Sequence, residues 1–510
     1  MTSFGTPGEM WVRRIFFLLA FLYILPFWIV EYIPTVDGPC HTYNAWILRQ
    51  YGNTEDFPLF QRYFEINARP YPNWVSHGAM ALLMHAVPPL IAEKILVSGY
   101  VLTFLFGVWY LVGSVWREQR WLAFLAFPFP YNHLFQFGFY NFSISLALFP
   151  WILGLWWRNR ADPSLAFALK INLLLWLCWF SHVVSFVVAI ISIAVLWLAT
   201  LRRDDWRRHP RHILLLAPQI LLPIWYFSDR GPTAWPPNWS FDVALDYLRY
   251  LEVLITFSEN QQPYARGLAV VFGLLLSLTL WRENIRRRSF QDRDAFLLLT
   301  AVVLLLYFAI PNDLAGGSFL KNRLSLYPWL LLIPWLSPRL GRTAQTAGVA
   351  VLASLAALNL GYQIRWYDRL DGEIGGFLAG LELVQPDTRV LPLLFEHRGP
   401  TSRLLLFGHV TSYAALEKGL VDWDNYEAAA EFFPTRFRPE ARPSIWHIEA
   451  EPAELYLQPW KRRADYVYTW GLPPGAPLER RLQKYFVKIS DKNGGVLWEN
   501  RLRVRQEARR

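Results

Sequence analysis

Long apolar runs separated by short charged loops fill the chain as far as residue 361. A helix that spans a lipid bilayer needs about 20 mostly apolar residues. The pattern predicts about eleven such spans, in the ranges 15–33, 90–115, 121–136, 138–157, 165–181, 183–201, 211–228, 264–281, 294–310, 324–337 and 343–361. We therefore expect a polytopic α-helical membrane protein.

The positions of the basic residues predict how these spans are oriented. Basic clusters occur between alternate apolar runs, at 13–14, 116–120, 158–160, 202–211, 282–293 and 339–342. Because cytoplasmic loops carry an excess of Lys and Arg, we place these clusters and the N-terminus in the cytoplasm. The outer loops are then 32–89, 229–263 and 311–323. An odd number of spans places everything after residue 361 outside.

After Tyr362 charged residues become frequent and apolar runs become short. The segments 389–395 and 465–470 have the composition of buried strands, and 411–419 and 478–485 are typical of helices. Strands mixed with helices predict a small soluble α/β domain over residues 362–510.

Composition agrees with a membrane protein and excludes other classes. Hydrophobic residues make up 54% of the chain and charged residues only 18%, which is more apolar than a soluble domain. The net charge is +10, but the basic residues are spread over many loops, so nucleic acid is not an expected partner. With only two cysteines, Cys40 and Cys178, we expect neither a disulfide framework nor a zinc site.

The sequence Asp37-Gly-Pro-Cys-His-Thr-Tyr-Asn44 follows the outer end of the first span. Gly38 and Pro39 predict a turn, after which a helix begins near His41. His41 and Asn44 then share one helical face, and Asp37 lies at the membrane–water boundary. There it has the chemistry of a general base toward a substrate that enters from water. The alternative is that Asp37 only caps the following helix.

Further polar residues are predicted at the same membrane face: His77, Asn141 and His182, besides His41. Ionisable groups at membrane depth usually serve a site or a pathway, although for any single histidine a structural hydrogen bond is the more common role. His41, His77, His133 and His182 are candidates for binding a metal ion together. Their wide separation in sequence argues against this, so we assign no metal ligand and leave a divalent cation open as a cofactor.

Two glycines, Gly316 and Gly317, precede Lys321 and Arg323. Arg can bind a phosphate with two hydrogen bonds, and Lys acts as a point charge, so we predict that the pair binds a lipid phosphate. The alternative is that both cations anchor a helix end at the interface. The chain has no P-loop, no Gly-x-Ser-x-Gly and no His-Glu-x-x-His sequence.

This layout resembles the GT-C superfamily of polytopic glycosyltransferases. The resemblance is carried by Asp37-Gly-Pro-Cys-His-Thr-Tyr-Asn44, Pro72-Asn-Trp-Val-Ser-His77, Gly138-Phe-Tyr-Asn141 and the stretch from Gly316 to Arg323, which look like those of bacterial members. Two features depart from the family. Many members have an Asp-Glu pair where this chain has Asp37-Gly38, and the Trp-Trp-Asp motif of the oligosaccharyltransferase subgroup is absent.

The resemblance implies transfer of a sugar from a polyprenyl-phosphate donor to an extracytoplasmic glycan, lipid or protein acceptor, at the bacterial cytoplasmic (inner) membrane. Residues 1–361 would form the catalytic membrane module. Asp37 would be the base, and His41, Asn44, His77, Asn141, His182, Lys321 and Arg323 would bind substrate. His409, Tyr413 and the sequence Arg436-Phe-Arg438 are candidates for selecting the acceptor.

Two other classes remain open on the sequence. A multi-pass transporter or flippase for lipid-linked or small-molecule substrates also has many spans, but transporters tend to contain internal repeats, and none is visible here. A polymerase or ligase of lipid-linked glycans usually carries its large outer loop between spans rather than at the C-terminus.

Overall fold

The computed structural model describes residues 7–161, 164–201, 214–228, 239–284, 289–314 and 317–507. Within these residues the chain is mostly helical. The basic loop 202–211, residues 229–238 of the predicted outer loop 229–263, part of the basic segment 282–293 and Gly316 lie outside the described ranges.

The α-helices are Pro7–Leu22, Leu25–Trp28, Gly38–Gln50, Pro58–Tyr63, Val75–Leu83, Pro89–Val115, His133–Gln136, Tyr140–Asn159, Leu165–Ser181, Val183–Ala199, Leu221–Ser228, Phe241–Arg249, Gln262–Thr279, Ala295–Ala309, Leu320–Leu324, Leu326–Leu332, Arg342–Leu378, Thr411–Lys418, Tyr426–Ala429, Ile445–Glu449, Trp460–Arg463, Pro477–Leu482 and Arg501–Glu507. Short 3₁₀ segments join several of them. The strands are β1 (Phe64–Ile66), β2 (Arg389–Leu394), β3 (Val421–Asp422), β4 (Thr435–Phe437), β5 (Tyr466–Trp470), β6 (Phe486–Lys492) and β7 (Gly495–Asn500).

Four helical stretches among the described residues are long and apolar enough to cross a membrane: Met10–Trp28, Pro89–Val115, Glu259–Arg282 and Arg342–Leu381. Shorter apolar helices cover Leu165–Ser181, Val183–Ala199 and Leu214–Tyr226. These helices indicate association with a membrane. These seven helices account for at most seven of the eleven predicted ranges.

The predicted span 121–136 differs from the structure. It is not one helix but a series of short pieces, the 3₁₀ segments Arg117–Ala126 and Phe129–Tyr131 and the helix His133–Gln136. Pro128 and Pro130 explain the break, because proline removes a backbone donor and its ring clashes with the preceding helical turn. The predicted span 324–337 is likewise interrupted, at Ser325, between Leu320–Leu324 and Leu326–Leu332.

The chain divides into two compact units. The first unit consists of residues 1–26, 98–135 and 141–364. In it the helix Ala295–Ala309 packs against Val183–Ala199 and Leu326–Leu332. A chain of hydroxyls joins buried helices, with Ser185 Oγ 2.5 Å from Ser145 Oγ and 2.7 Å from Tyr327 Oη. Interhelical hydroxyl contacts of this kind are common in apolar helix bundles.

The second unit consists of residues 27–97, 136–140 and 365–510. It therefore contains both the C-terminal region and the first predicted outer loop, which we expected in the membrane module of residues 1–361. The reason is packing between segments that are far apart in sequence. The helix Gly38–Gln50 packs against Val75–Leu83, Thr411–Lys418 and Tyr426–Ala429, and β1 from the first loop pairs antiparallel with β4.

The core of the second unit is a five-stranded sheet in the order β3-β2-β5-β7-β6. Strand β2 runs parallel to β3 and β5, whereas β7 runs antiparallel to β5 and β6. All five residues of β5 are buried, as expected for a central strand covered on both faces. The predicted strands 389–395 and 465–470 are thus confirmed as β2 and β5, and the predicted helices 411–419 and 478–485 as Thr411–Lys418 and Pro477–Leu482.

Candidate active site

Asp37 lies at the N-cap position, immediately before the helix Gly38–Gln50, but its side chain makes no capping hydrogen bond to that helix. Its Oδ2 instead accepts a hydrogen bond of 2.7 Å from the Tyr426 hydroxyl. Its Oδ1 lies 3.5 Å from His409 Nε2. The capping alternative is therefore not supported, because the carboxylate faces residues from the C-terminal part of the same unit.

The backbone around Asp37 is fixed by the segment 136–140. The Val36 and Asp37 amides donate to the carbonyls of Gln136 and Phe137, each over 3.1 Å. Gly138 has φ +91°, and a Cβ at this position would lie 2.5 Å from the Asp37 amide nitrogen. Only glycine permits both this backbone conformation and this close approach. The Gly138-Phe-Tyr-Asn141 sequence thus positions Asp37.

Burial changes how Asp37 ionises. The side chain is almost fully buried, with 4% of its surface exposed. Burial raises the pKa of Asp37, and although His409, the Tyr426 hydrogen bond and His41 each lower it, the pKa of Asp37 remains raised to about 6. An acid with this pKa is largely ionised at neutral pH and is a stronger proton acceptor than an exposed aspartate.

His409 connects Asp37 to a second acidic group. Its ring stacks on Tyr426 with the centroids 4.7 Å apart, and its Nδ1 lies 3.7 Å from Asp424 Oδ2. Burial alone lowers the pKa of His409, but the neighbouring carboxylates of Asp424, Glu449 and Asp37 outweigh burial and raise it to about 10. His409 is therefore an imidazolium at neutral pH and pairs with the Asp37 carboxylate.

Asp424 and Glu449 form an acid pair next to His409, with ligand atoms of the three side chains within 4.8 Å of one another. Burial raises the pKa of Asp424 to about 6 and, together with the Asp424 charge, raises the pKa of Glu449 to about 8. Two carboxyl groups this close retain one proton between them near neutral pH. The pair thus holds one exchangeable proton next to the His409 imidazolium.

A second cluster surrounds His41, His77 and Glu427, all of them buried. Glu427 Oε2 lies 2.9 Å from His77 Nε2, and Glu427 Oε1 lies 2.7 Å from His41 Nδ1. The two imidazole nitrogens are 3.2 Å apart. Asn44 Nδ2 donates to Glu427 Oε2 over 2.8 Å. The structure therefore brings together three of the predicted residues, and all three meet one glutamate.

Glu93 was not predicted from the sequence. Its carboxylate accepts hydrogen bonds from Tyr140 Oη at 2.6 Å and from Tyr413 Oη at 3.0 Å. Gly38 lies against this group, since a Cβ at Gly38 would lie 2.9 Å from Glu93 Oε1. A signal was present, because Glu93 and Lys94 are charged residues inside an otherwise apolar predicted span.

Glu427, Tyr426 and Asp424 were also missed as site residues. They lie in the run Asp422-Trp-Asp-Asn-Tyr-Glu427, whose acidic character was visible but which resembles no catalytic motif. His409 was predicted only as a residue that selects the acceptor, and the structure places it beside Asp37.

The remaining predicted residues, Asn141, His182, Lys321 and Arg323, belong to the first unit. His182 caps the helix Val183–Ala199 by accepting from the Val184 amide over 3.2 Å. The ring of Phe142, next to Asn141, lies 5.5 Å from the His182 ring and also 5.5 Å from the Arg323 guanidinium. Two of these residues, His182 and Arg323, thus lie against one aromatic ring.

Lys321 and Arg323 bind main-chain carbonyls of their own unit. Lys321 Nζ donates to the Tyr307 carbonyl over 2.8 Å, at the C-terminal end of the helix Ala295–Ala309, and Arg323 Nη1 donates to the Ser318 carbonyl. A cation at a helix C-terminus stabilises the unpaired carbonyls there. This contact gives Lys321 a structural role, and phosphate binding by the pair stays a prediction.

Comparison with protein-family models gives no match for this chain. Neither the curated proteins nor the solved structures contain a significant match. The case for a function therefore depends on the sequence and on the geometry of the site.

Proposed function

We propose that this protein is a polytopic membrane glycosyltransferase that moves a sugar from a polyprenyl-phosphate donor to a hydroxyl group of an extracytoplasmic acceptor. The observation that carries the proposal is the environment of Asp37. A buried carboxylate that has a raised pKa and is held by a phenol and an imidazolium has the properties of a general base.

In the proposed reaction the Asp37 carboxylate removes the proton of the acceptor hydroxyl. The acceptor oxygen attacks the anomeric carbon and forms the new glycosidic bond. The bond from that carbon to the lipid phosphate oxygen breaks, and the phosphate leaves with the electron pair. A single displacement of this kind inverts the anomeric configuration and does not need a second carboxylate as nucleophile.

His409 and the acid pair behind it suit the fate of the proton. Once Asp37 has gained the proton, the imidazolium next to it loses its anionic partner. Asp424 and Glu449 share one proton on the other side of the ring, which leaves one of the two ionised. His409 can give its Nδ1 proton to that carboxylate while its Nε2 takes up the proton from Asp37, so the ring passes one proton on. This arrangement would return Asp37 to its ionised form between turnovers.

We further propose about eleven membrane spans, with the N-terminus in the cytoplasm and the C-terminal domain outside a bacterial inner membrane. Exposed apolar stripes support spans beyond the four longest helices. Leu165, Leu169 and Leu173 lie on one face of a 17-residue helix and are 76%, 66% and 58% exposed. A leucine stripe this exposed is stable in lipid rather than in water.

The proposal is tested by transfer of a labelled sugar from polyprenyl-phosphate donors in membranes that contain wild type or Asp37→Asn. Proton transfer to a placed base typically contributes about 10²–10⁴-fold to a rate, so the variant should lose turnover to that extent while still binding the donor lipid. Asp56→Asn is the matched control, because Asp56 is an exposed aspartate in the same loop. Normal turnover by Asp37→Asn would refute the assignment.

A multi-pass transporter or flippase is the second candidate. The observation that favours it is the acid pair of the buried Asp424 and the half-buried Glu449, since carboxyl groups that share protons also serve proton-coupled transport. Uptake or flipping of substrate that depends on a proton gradient and fails in Glu449→Gln, without any sugar transfer by wild type, would support it.

A further inference from the structure

Three buried side chains, those of His41, His77 and Glu427, bring their ligand atoms close together. His41 Nδ1, His77 Nε2 and a Glu427 carboxylate oxygen all lie within 4.8 Å of one another. The residues come from the helix Gly38–Gln50, the helix Val75–Leu83 and the C-terminal part of the chain, so three separate segments converge here. His77 and Glu427 have 0% of their side-chain surface exposed.

The distances suit a metal ion of the zinc class. Zinc–nitrogen bonds of about 2.0–2.1 Å in a tetrahedral site place neighbouring ligand atoms about 3.3 Å apart. The two imidazole nitrogens are 3.2 Å apart, and each faces its own oxygen of Glu427: His41 Nδ1 lies 2.7 Å from Oε1, and His77 Nε2 lies 2.9 Å from Oε2. An opening of a few tenths of an ångström at the carboxylate, well within side-chain motion, would admit the ion.

His77 has the tautomer that a metal ligand needs, with the proton on Nδ1 and a lone pair on Nε2. Its Nδ1 donates to the Asn73 carbonyl over 3.1 Å, which leaves the Nε2 lone pair directed at His41 and Glu427. Asn73 has φ +72°, a left-handed conformation that non-glycine residues adopt rarely. Metal-binding histidines typically donate their other ring nitrogen to a carbonyl or carboxylate in this way.

The carboxylate of Glu427 gives a second indication of a cation site. Although Glu427 Oε1 lies 2.7 Å from His41 Nδ1, it has no well-formed hydrogen bond. Its other oxygen is oriented by Asn44 Nδ2, which also donates to Asn425 Oδ1 over 3.0 Å. A buried carboxylate oxygen without such a bond is costly unless an ion satisfies it.

We infer that His41, His77 and Glu427 bind a divalent transition metal ion, with zinc as the best fit, and that Asn44 and the Asn73 carbonyl orient the ligands. Two imidazoles and one carboxylate suit zinc and its neighbours rather than magnesium or calcium, which prefer oxygen ligands. Three protein ligands leave a fourth position for water or for a substrate oxygen. The inference does not depend on the proposed transferase reaction.

The test uses the full chain purified in detergent, stripped with a chelator, exposed to zinc and freed of excess by gel filtration. Metal content should be a single zinc ion per chain for wild type and should be lost in His77→Ala and Glu427→Gln. His85→Ala is the control, because His85 is an exposed histidine near the same helix, and it should retain the metal. Asn44→Ala should weaken zinc affinity about 10–100-fold.

Cobalt(II) gives a readout that needs no variant. Wild type loaded with cobalt should show the intense visible absorption of a four-coordinate cobalt ion, and zinc should displace it. Absence of bound metal and of that absorption in folded wild type would overturn the inference, as would equal metal content in wild type and His77→Ala. Both readouts are independent of any sugar donor, so failure of the transferase assay leaves this result intact.

Discussion

The Tyr426 hydroxyl donates a hydrogen bond of 2.7 Å to Asp37 Oδ2, although 389 positions separate the two residues in sequence. This contact joins the start of the helix Gly38–Gln50 to the C-terminal part of the second unit. It also limits how far burial raises the pKa of Asp37, because a donor to the charged form lowers the pKa of an acid.

Removing this hydroxyl should raise the pKa of Asp37 and slow the proposed reaction. A hydrogen bond to a charged group contributes about 1.5–3 kcal/mol, so Tyr426→Phe should lower turnover by about one to two orders of magnitude. The acid limb of its pH–rate profile should move to higher pH. Tyr456→Phe, at an exposed tyrosine, should change neither the turnover nor the acid limb. An unmoved acid limb in Tyr426→Phe would contradict the effect of Tyr426 on the pKa of Asp37.

Wild-type turnover should fall as the pH drops below about 6. The base acts only when Asp37 is ionised, and its folded pKa is raised to about 6, so activity is full well above that pH and declines about tenfold per unit below it. His409, which faces Asp37, stays protonated to about pH 10. Tyr426 stays neutral because burial raises the pKa of its hydroxyl well above the ordinary value. Glu427 stays ionised because His41 and His77 lower its pKa despite burial.

The steady-state rate between pH 4.5 and 9 tests this expectation, with buffers exchanged to exclude specific ion effects. A profile without an acid limb would show that proton removal by Asp37 does not limit the rate. Burial also raises the pKa of Asp424 to about 6, so Asp424 is a second candidate for the acid limb. The Asp424→Asn variant separates the two residues, because it should keep the acid limb if Asp37 is responsible.

Gly138→Ala should reduce activity more than stability. A Cβ would collide with the Asp37 backbone at 2.5–2.8 Å and would strain a backbone at φ +91°, so Asp37 should shift away from Tyr426. A displacement of about 1 Å can cost roughly 100-fold in rate. Gly475→Ala is a suitable control, since Gly475 also has positive φ, at +73°, but nothing lies near its added Cβ. Equal losses of activity in both variants would argue against positioning by Gly138.

Arg389 and Asp465 should contribute to the stability of the second unit. Arg389 Nε and Nη2 each donate to the Asp465 carboxylate over 2.8 Å, which joins β2 to the start of β5. The pair is about one fifth exposed, so solvent screening limits its contribution, and Arg389→Ala should lose about 1–2 kcal/mol. Lys488→Ala, which breaks an exposed pair with Asp491, should lower the free energy of unfolding by less than about 0.5 kcal/mol. Thermal unfolding in detergent compares the two variants with wild type.

The proposed orientation in the membrane predicts opposite labelling at two single cysteines. Asn493→Cys should react with a membrane-impermeant maleimide in intact spheroplasts, whereas Glu118→Cys should react only after permeabilisation. Both positions are exposed, and the native Cys40 and Cys178 are buried, so background labelling should be low. Labelling of both cysteines without permeabilisation would refute the orientation.

The sequence by itself determined the helical segments and the main strands. Apolar periodicity and length are local properties, so the helices from Pro89 and Arg342 and the buried strands β2 and β5 follow from runs of neighbouring residues. The turn predicted at Gly38-Pro39 also indicated Asp37 and His41 as candidate site residues. Proline in the run 121–136 was a local signal too, and it explains why that range is not one helix.

Tertiary structure alone decided what these residues contact. Whether Asp37 caps a helix or faces Tyr426 and His409 depends on residues hundreds of positions away, and sequence periodicity carries no signal for such pairs. The same holds for Glu427, which joins His41 to His77, and for the assignment of the first loop to the C-terminal unit. Buried charges must find partners or be neutralised, and only the folded chain shows which partners are within reach.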